Sequence, residues 1–240
     1  MAGETHTRQA LEDPHRVIYP GAPLRAVAIE LYFDGVLDAL TQFGEFQRRH
    51  RSTFDRTLFA ESKSTTFPPA ILVGRRDKRG FGIGPTMMAA LAFSYETGFD
   101  GFLGWAFPLL TEALELLEIR AVTRVVYSYE NLIQTPSTED IPSRLKLPFS
   151  APRPDLELVG LGMSWRHNWP EGGAVGVDLG GGEEDQEALV LKITAEFPGP
   201  LADLPSVDRA IRLAHTMARE TFDAIITDKF RAEISEERSK

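Results

Sequence analysis

The segment from Phe102 to Asn131 constrains the fold more than any other part of the sequence, because its hydrophobic period changes within it. Its first part has apolar residues at helical spacing with glutamates between them: Leu109, Leu110, Ala113, Leu114, Leu116 and Leu117. From Ile119 to Ile133 the period becomes two, and β-favouring valines and tyrosines dominate. The segment therefore predicts a buried helix that leads directly into a long strand of a sheet.

Further strands and helices are predicted on both sides of this segment. Alternating or short apolar runs predict strands at 24–33, 57–59, 70–73, 156–169, 174–179 and 188–197, and another after Pro85. Apolar stripes predict a helix at 36–49 and one long closing helix from an N-cap at Ser206 to about Phe230. The glycines from Gly80 to Gly84 are not followed by the Lys-Ser/Thr of a phosphate loop and predict an irregular strand.

This order of elements predicts an α+β fold. Meandering strands followed by covering helices are typical of an antiparallel sheet, or sheets, with helices packed on one face and a long C-terminal helix. The proline-rich stretch 134–155 divides the chain, so we expect a flexible start (1–16), a first α+β half (17–133), this connection, a second α+β half (156–234) and a flexible tail (235–240). The halves could be structurally similar, although no sequence repeat links them.

Composition excludes several classes of function. The 240 residues include no cysteine, which rules out disulfides, thiolate metal sites and a cysteine nucleophile. The polar beginning of the chain predicts no signal peptide, and no apolar run is long enough for a membrane span, so we expect a cytoplasmic protein without membrane contact. A net charge of −9 disfavours broad electrostatic binding to nucleic acid.

Three segments together resemble a sporadically distributed, functionally uncharacterised bacterial protein family of similar length. They are the first-strand segment with Ala22-Pro23-Leu24, the strand with Arg124, Tyr129 and Asn131, and the closing helix with His215 and Phe222. The chain departs from the family pattern in having Ala26 for a glutamate, Val126 for a glycine and Ser128 for an arginine. The resemblance implies no activity. It implies an accessory role, for example in a mobile or defence-type gene cassette.

The strand residues Arg124, Tyr129 and Asn131 are the first candidates for a binding site. Arginine, tyrosine and asparagine side chains could bind an anion or a peptide backbone. In the alternative, structural interpretation these residues serve the fold and form no binding site. Asn131 then caps a turn and Tyr129 packs against a helix, while Arg124, at an even-numbered position, lies on the opposite face of the strand. Both interpretations remain open at the level of sequence.

Aromatic and histidine side chains supply the other candidates. Trp165, His167 and Trp169 share one strand face and form either a ligand or partner surface or half-buried sheet surface under a helix. His215 lies at the edge of the closing helix's apolar stripe, as a hydrogen-bonded core histidine or a base. The histidines show no paired ligand spacing, so we predict neither a metal site nor a cofactor.

Two basic clusters allow local contact with nucleic acid if the fold brings them together. The first comprises Arg48, Arg49 and Arg51 around His50; the second comprises Arg75, Arg76 and Arg79 with Lys78. The alternative is solvated charge at a helix end and in a turn.

No catalytic constellation is present in the sequence, so whether the protein is an enzyme is left open. We expect a non-enzymatic accessory or regulatory protein that binds another macromolecule, most simply a protein. The alternatives are a small-ligand pocket or enzyme between the sheet and the closing helix, lined by His215, Arg124, Tyr129 and Asn131, and a nucleic-acid-associated protein. The oligomeric state is not predicted.

Overall fold

One antiparallel sheet of nine described strands organises the protein, with its helices on one face. The computed structural model describes residues 24–59, 70–74, 78–93, 98–135, 141–146, 162–181 and 188–236. The strands are β1 (Leu24–Phe33), β2 (Arg56–Phe59), β3 (Ala70–Val73), β4 (Arg79–Ile83), β5 (Met87–Ala92), β6 (Val122–Gln134), β7 (Gly162–Asn168), β8 (Ala174–Gly181) and β9 (Ala188–Leu201). The helices are α1 (Ala39–Arg49), α2 (Gly98–Leu116), α3 (Ile141–Arg144), α4 (Leu204–Ile225) and α5 (Asp228–Glu236). The prediction of an α+β fold is therefore confirmed.

The elements form two consecutive sets that lie side by side in the sheet, β1 to α2 and β6 to α4, which we call the two halves of the structure. This division differs from the predicted one, in which residues 122–133 of β6 belong to the first half (17–133). The order is β2-β3-β4-β5-β1-β6-β9-β8-β7, so β1 and β6, the first strands of the two halves, pair antiparallel at the centre. In each half the last strand lies next to the first and leads into a long helix: β5 is followed by α2, and β9 by α4. The two halves thus share an order of elements around the central strand pair.

The helix face of the sheet forms the hydrophobic core. Odd-numbered residues of β1, β6 and β9 point to this face because side chains alternate along a strand; Ile29, Val125 and Ile193 are fully buried there. Phe46 of α1 stacks on Phe81 of β4 with ring centroids 4.8 Å apart. A single cluster of buried apolar residues includes members from both halves, so one core underlies the whole sheet.

The second face of the sheet, opposite the helices, has two regions of different chemistry. Its β5 positions are apolar and buried at Met87, Ala89 and Leu91. Its β6 and β9 positions are mostly polar, and many are half-buried or exposed. This polar region holds most of the charged side chains of the sheet's centre.

The prediction of one unbroken closing helix is wrong. α4 ends at Ile225, and Ile226 has an extended backbone (φ −76°, ψ 148°) that forms an antiparallel bridge with Leu145. The Thr227 hydroxyl then accepts a hydrogen bond from the Phe230 backbone N–H at 3.1 Å, which caps α5. The apolar stripe continues through both helices, so it could not show this break.

The N-cap prediction for that helix was also wrong. Asp203, not Ser206, caps α4: its carboxylate accepts a hydrogen bond from the Ser206 backbone N–H at 2.7 Å. This bond lowers the pKa of Asp203 below its usual value.

None of the described helices combines the length and hydropathy that crossing a bilayer requires.

Candidate functional site

Tyr129, Asn131 and His215 lie between the sheet and α4. The Tyr129 hydroxyl donates a hydrogen bond to the Ala218 carbonyl oxygen at 2.6 Å. Asn131 is buried in the sheet, and its side-chain N–H donates to the Leu191 carbonyl oxygen at 3.5 Å. The buried His215 ring stacks on Phe99 with centroids 3.8 Å apart. The Tyr129 bond joins β6 to α4, the Asn131 bond joins β6 to β9, and the His215 ring joins α4 to α2. Tyr129 therefore packs against a helix as in the structural interpretation, whereas Asn131 lies within β6 and bonds to the neighbouring strand, not to a turn.

Arg124 faces the other side of the sheet and does not meet the other members of its predicted set. It lies on β6 at an even-numbered position, whereas Tyr129 and Asn131 are odd-numbered and face the helices. Its guanidinium carbon lies 3.9 Å from the centroid of the Tyr32 ring, and its Nη1 is 3.8 Å from Glu196 Oε2. The structure therefore assigns Arg124 to a different group of residues on the second face.

That group lines a depression of about 200 Å³, which we call the polar depression. It lies over the central strands β1, β6 and β9 on the second face. The strand register places its members in neighbouring positions: Tyr32 opposite Arg124, Glu30 and Glu196 on either side of Val126, and Ser128 opposite Thr194. Its lining residues are Glu30, Tyr32, Arg124, Val126, Ser128, Lys192, Thr194 and Glu196.

Glu30 is the half-buried carboxylate of the depression. The Tyr32 hydroxyl donates a hydrogen bond to Glu30 Oε2 at 2.7 Å. Burial raises the pKa of Glu30 above its usual value, and this effect outweighs the opposing influence of the Tyr32 hydrogen bond and of Lys192 and Arg124. Burial, together with the same hydrogen bond, also raises the pKa of Tyr32, which keeps the phenol protonated. Among the residues that the structure describes, no cation forms an ion pair with the Glu30 carboxylate.

Glu196 has closer cationic neighbours than Glu30. Arg166 of β7 forms an ion pair with it at 2.9 Å, and Arg124 approaches it from the other side. Within the described part of the chain, Lys192 makes no ion pair, although its charge acts on Glu30. The lining carries two carboxylates and two cations, so its formal charges balance.

Trp165, His167 and Trp169 lie at the β7 edge of the sheet, on the side of the helices. Trp165 and Trp169 are half-buried against the core cluster, and His167 is exposed with its ring 6.0 Å from that of Trp169. The Trp169 backbone N–H donates to Gly173 at 3.1 Å, which closes the turn into β8. Arg166 points to the second face, so β7 presents aromatic rings on one side and a cation on the other.

The basic clusters are largely engaged within the protein where they are described. Arg48 and Arg49 form ion pairs with Glu45, and the His50 ring lies 2.9 Å from Glu112. Arg51 is exposed after α1. Arg79 lies over the Trp105 ring at 5.2 Å, while Arg75 and Arg76 are outside the described residues. In the ranges that the structure describes, no group of three histidines or carboxylates is arranged to hold a metal ion.

Most of the polar depression was missed at the level of sequence. Alternation shows that Glu30 and Tyr32 share a strand face, but Lys192 and Glu196 belong to a strand about 160 residues further along the chain. Their neighbourhood depends on β6 lying between β1 and β9, which no local pattern shows. The available signal was the recurrence of polar residues, such as Glu30, Ser128 and Lys192, at alternate positions of β1, β6 and β9.

No protein-family model and no curated protein matches the sequence. A functional proposal therefore depends on the geometry of the described residues.

Proposed function

We propose that the protein is a non-enzymatic accessory or regulatory protein that acts by binding another protein, with the polar depression at the centre of its recognition surface. The observation that carries the proposal is the charge-balanced, mostly half-buried set of side chains at the centre of the second face. A solvated sheet face needs no such arrangement, because exposed polar residues suffice to keep it soluble.

The incomplete pairing of Glu30 favours a binding role. In the described part of the chain this carboxylate receives a hydrogen bond from Tyr32 but no ion pair. A half-buried carboxylate costs free energy until donors or a cation compensate it. A partner that supplies such a group recovers part of that cost on binding, and the recovery is specific for a complementary partner.

The balance of charge favours a protein over a nucleic acid. Phosphate backbones bind to surfaces with excess positive charge, whereas Arg124 and Lys192 are offset here by Glu30 and Glu196. Protein surfaces carry both signs and are recognised by complementary patterns. Arginine and tyrosine, both present in the lining, are enriched at protein interfaces.

The volume of the depression favours a second candidate function, which is binding of a small ligand. A volume of about 200 Å³ is below that of sites for drug-sized molecules and suits a ligand of a few heavy atoms. This site is not the one expected between the sheet and α4, where the rings of Phe99, Tyr127 and His215 pack against one another.

Blocking the depression tests the proposed function. We expect Ser128→Trp to fill the depression and abolish capture of the partner when the tagged protein is recovered from its own host and weighed by native mass spectrometry. Thr41→Trp on α1 places the same bulky ring on an exposed residue of the helix side and is expected to leave capture unchanged. Equal capture by wild type and both folded variants would contradict the proposal.

A further inference from the structure

We infer that the polar depression recognises a group carrying an ammonium and a carboxylate a few ångströms apart. A free amino acid has this chemistry, and so do neighbouring lysine and glutamate side chains on a protein partner. The inference rests on the site of the proposed function and specifies what that site recognises.

The charges of the depression are arranged in order along the strands. Residues two apart on one strand face are separated by about 7 Å. Along β6 and its neighbours the order is therefore Tyr32 with Arg124, then Glu30 with Glu196, then Ser128 with Thr194, and then Lys192. Lys192 lies in register with Glu130 of β6, which forms an ion pair with Arg25, and with Asp178 of β8. Among the residues that line the depression, two carboxylates are thus followed by two hydroxyls and then by a lysine.

This order of charges places the two charged ends of the ligand at different parts of the depression. The ammonium of the ligand would lie against Glu30, where a cation compensates the half-buried carboxylate. Its carboxylate would accept hydrogen bonds from Ser128, Thr194 and Lys192, which are donors on the adjacent positions. Arg124 is less suited to the carboxylate because it already stacks on Tyr32 and approaches Glu196.

A ligand that carries only positive or only negative charge would be disfavoured. An anion that reaches Lys192 also meets Glu30 and Glu196, and a cation that reaches Glu30 also meets Arg124 and Lys192. A ligand that carries both charges in the matching order avoids both repulsions. The discrimination therefore comes from charge order, with the net charge of the lining contributing little.

Isothermal titration calorimetry with two sets of probes tests the inference. The first set is a panel of free amino acids, each compared with its N-acetyl form, which keeps only the carboxylate, and its amide, which keeps only the ammonium. The second set is a blocked Lys-Glu peptide, compared with the blocked Lys-Gln and Gln-Glu peptides. We expect a doubly charged probe from at least one set to bind at least about tenfold more tightly than its singly charged relatives, because each lost charge removes a charge-assisted hydrogen bond.

Variants of the lining locate the binding. We expect Glu30→Gln and Lys192→Gln each to lower the affinity for that probe at least about tenfold. The control variants Glu220→Gln and Lys229→Gln, at exposed positions on α4 and α5, are expected to leave this affinity unchanged. Binding of the first set identifies a free amino acid as the ligand class, and binding of the second set alone identifies a protein segment. Equal binding of singly and doubly charged probes, or no binding of any doubly charged probe, would overturn the inference.

The two proposals fail separately. Partner capture that survives Ser128→Trp contradicts the proposed function, while tight binding of a doubly charged probe would still support the inference. Capture lost in Ser128→Trp supports the proposed function, while singly charged probes that bind as well as doubly charged ones still overturn the inference.

Discussion

At the scale of single residues, burial of charge is the main feature of the second face. Glu30 lies half-buried on the central strand β1 and accepts a hydrogen bond from Tyr32. Burial raises its pKa above the ordinary value of 4.5, although Lys192 and Arg124 act in the opposite direction. The folded protein therefore holds the proton of Glu30 more tightly than the unfolded chain does.

This shift predicts a pH-dependent effect of Glu30→Gln. The stability that protonated Glu30 contributes is fully present below pH 4.5 and is lost as the pH rises through its higher folded-state pKa. Glutamine stays neutral and shows no such loss. We therefore expect the variant to be more stable relative to wild type at pH 7 than at pH 4, measured as a larger difference in the free energy of unfolding in urea titrations. Exposed Glu220→Gln is the control, and an unchanged difference between the two pH values would contradict the prediction.

At the scale of elements, the turn between β7 and β8 packs closely against β9 beside the polar depression. Gly172 and Gly173 both have positive φ, at 99° and 90°. A Cβ on Gly173 would lie 2.3 Å from the Glu196 carbonyl oxygen and 3.2 Å from the Met217 side chain. Close approach of this turn to β9 therefore requires glycine at position 173, and it occurs next to a carboxylate of the depression.

Replacing Gly173 by alanine is expected to destabilise the protein. The positive φ alone costs about 1–3 kcal/mol for a residue with a side chain, and the contact with the Glu196 backbone adds to this cost. Gly181→Ala on β8 is the matched control, because a Cβ there has no neighbour within 4 Å. Urea unfolding measures both variants. Equal stability of Gly173→Ala and wild type would show that the turn does not pack against β9 in this way.

At the scale of the whole molecule, the two halves share one sheet and one core. Strands β1 and β6 pair along most of their length, and the buried apolar cluster includes residues such as Phe81 from the first half and Ile193 from the second. Separating the halves would expose both the central strand edges and the core. Such a division is expected to be costly, even though the order of elements is similar in the two halves.

We therefore expect the protein to unfold as one cooperative unit. Trp105 of α2 reports on the first half, and Trp165 and Trp169 report on the second. Variants that retain only Trp105, or only Trp165, should show the same urea midpoint by fluorescence as the unfolding of secondary structure followed by circular dichroism. Separate midpoints for the two reporters would instead identify two independently stable domains.

Much of the fold could be predicted from the sequence, and less of the candidate site. Alternation located β1, β8 and β9 closely, and the change of period after α2 located β6. The sequence predicts Arg124 in a set with Tyr129 and Asn131, which face the helices, whereas the structure places it with Tyr32 and Glu196. Alternation shows which residues of one strand share a face, but it does not show which strands are neighbours.

By itself the sequence determined the local elements, the α+β class and the residues that face the core, because these depend on hydrophobic periods read within one segment. The tertiary structure decided what depends on contacts between distant segments. It placed β6 between β1 and β9, ended α4 where Ile226 bridges to Leu145, and brought Glu30, Arg124, Lys192 and Glu196 into one depression. Strand order and register are set by packing of the whole sheet, where a slip of one residue would exchange its two faces.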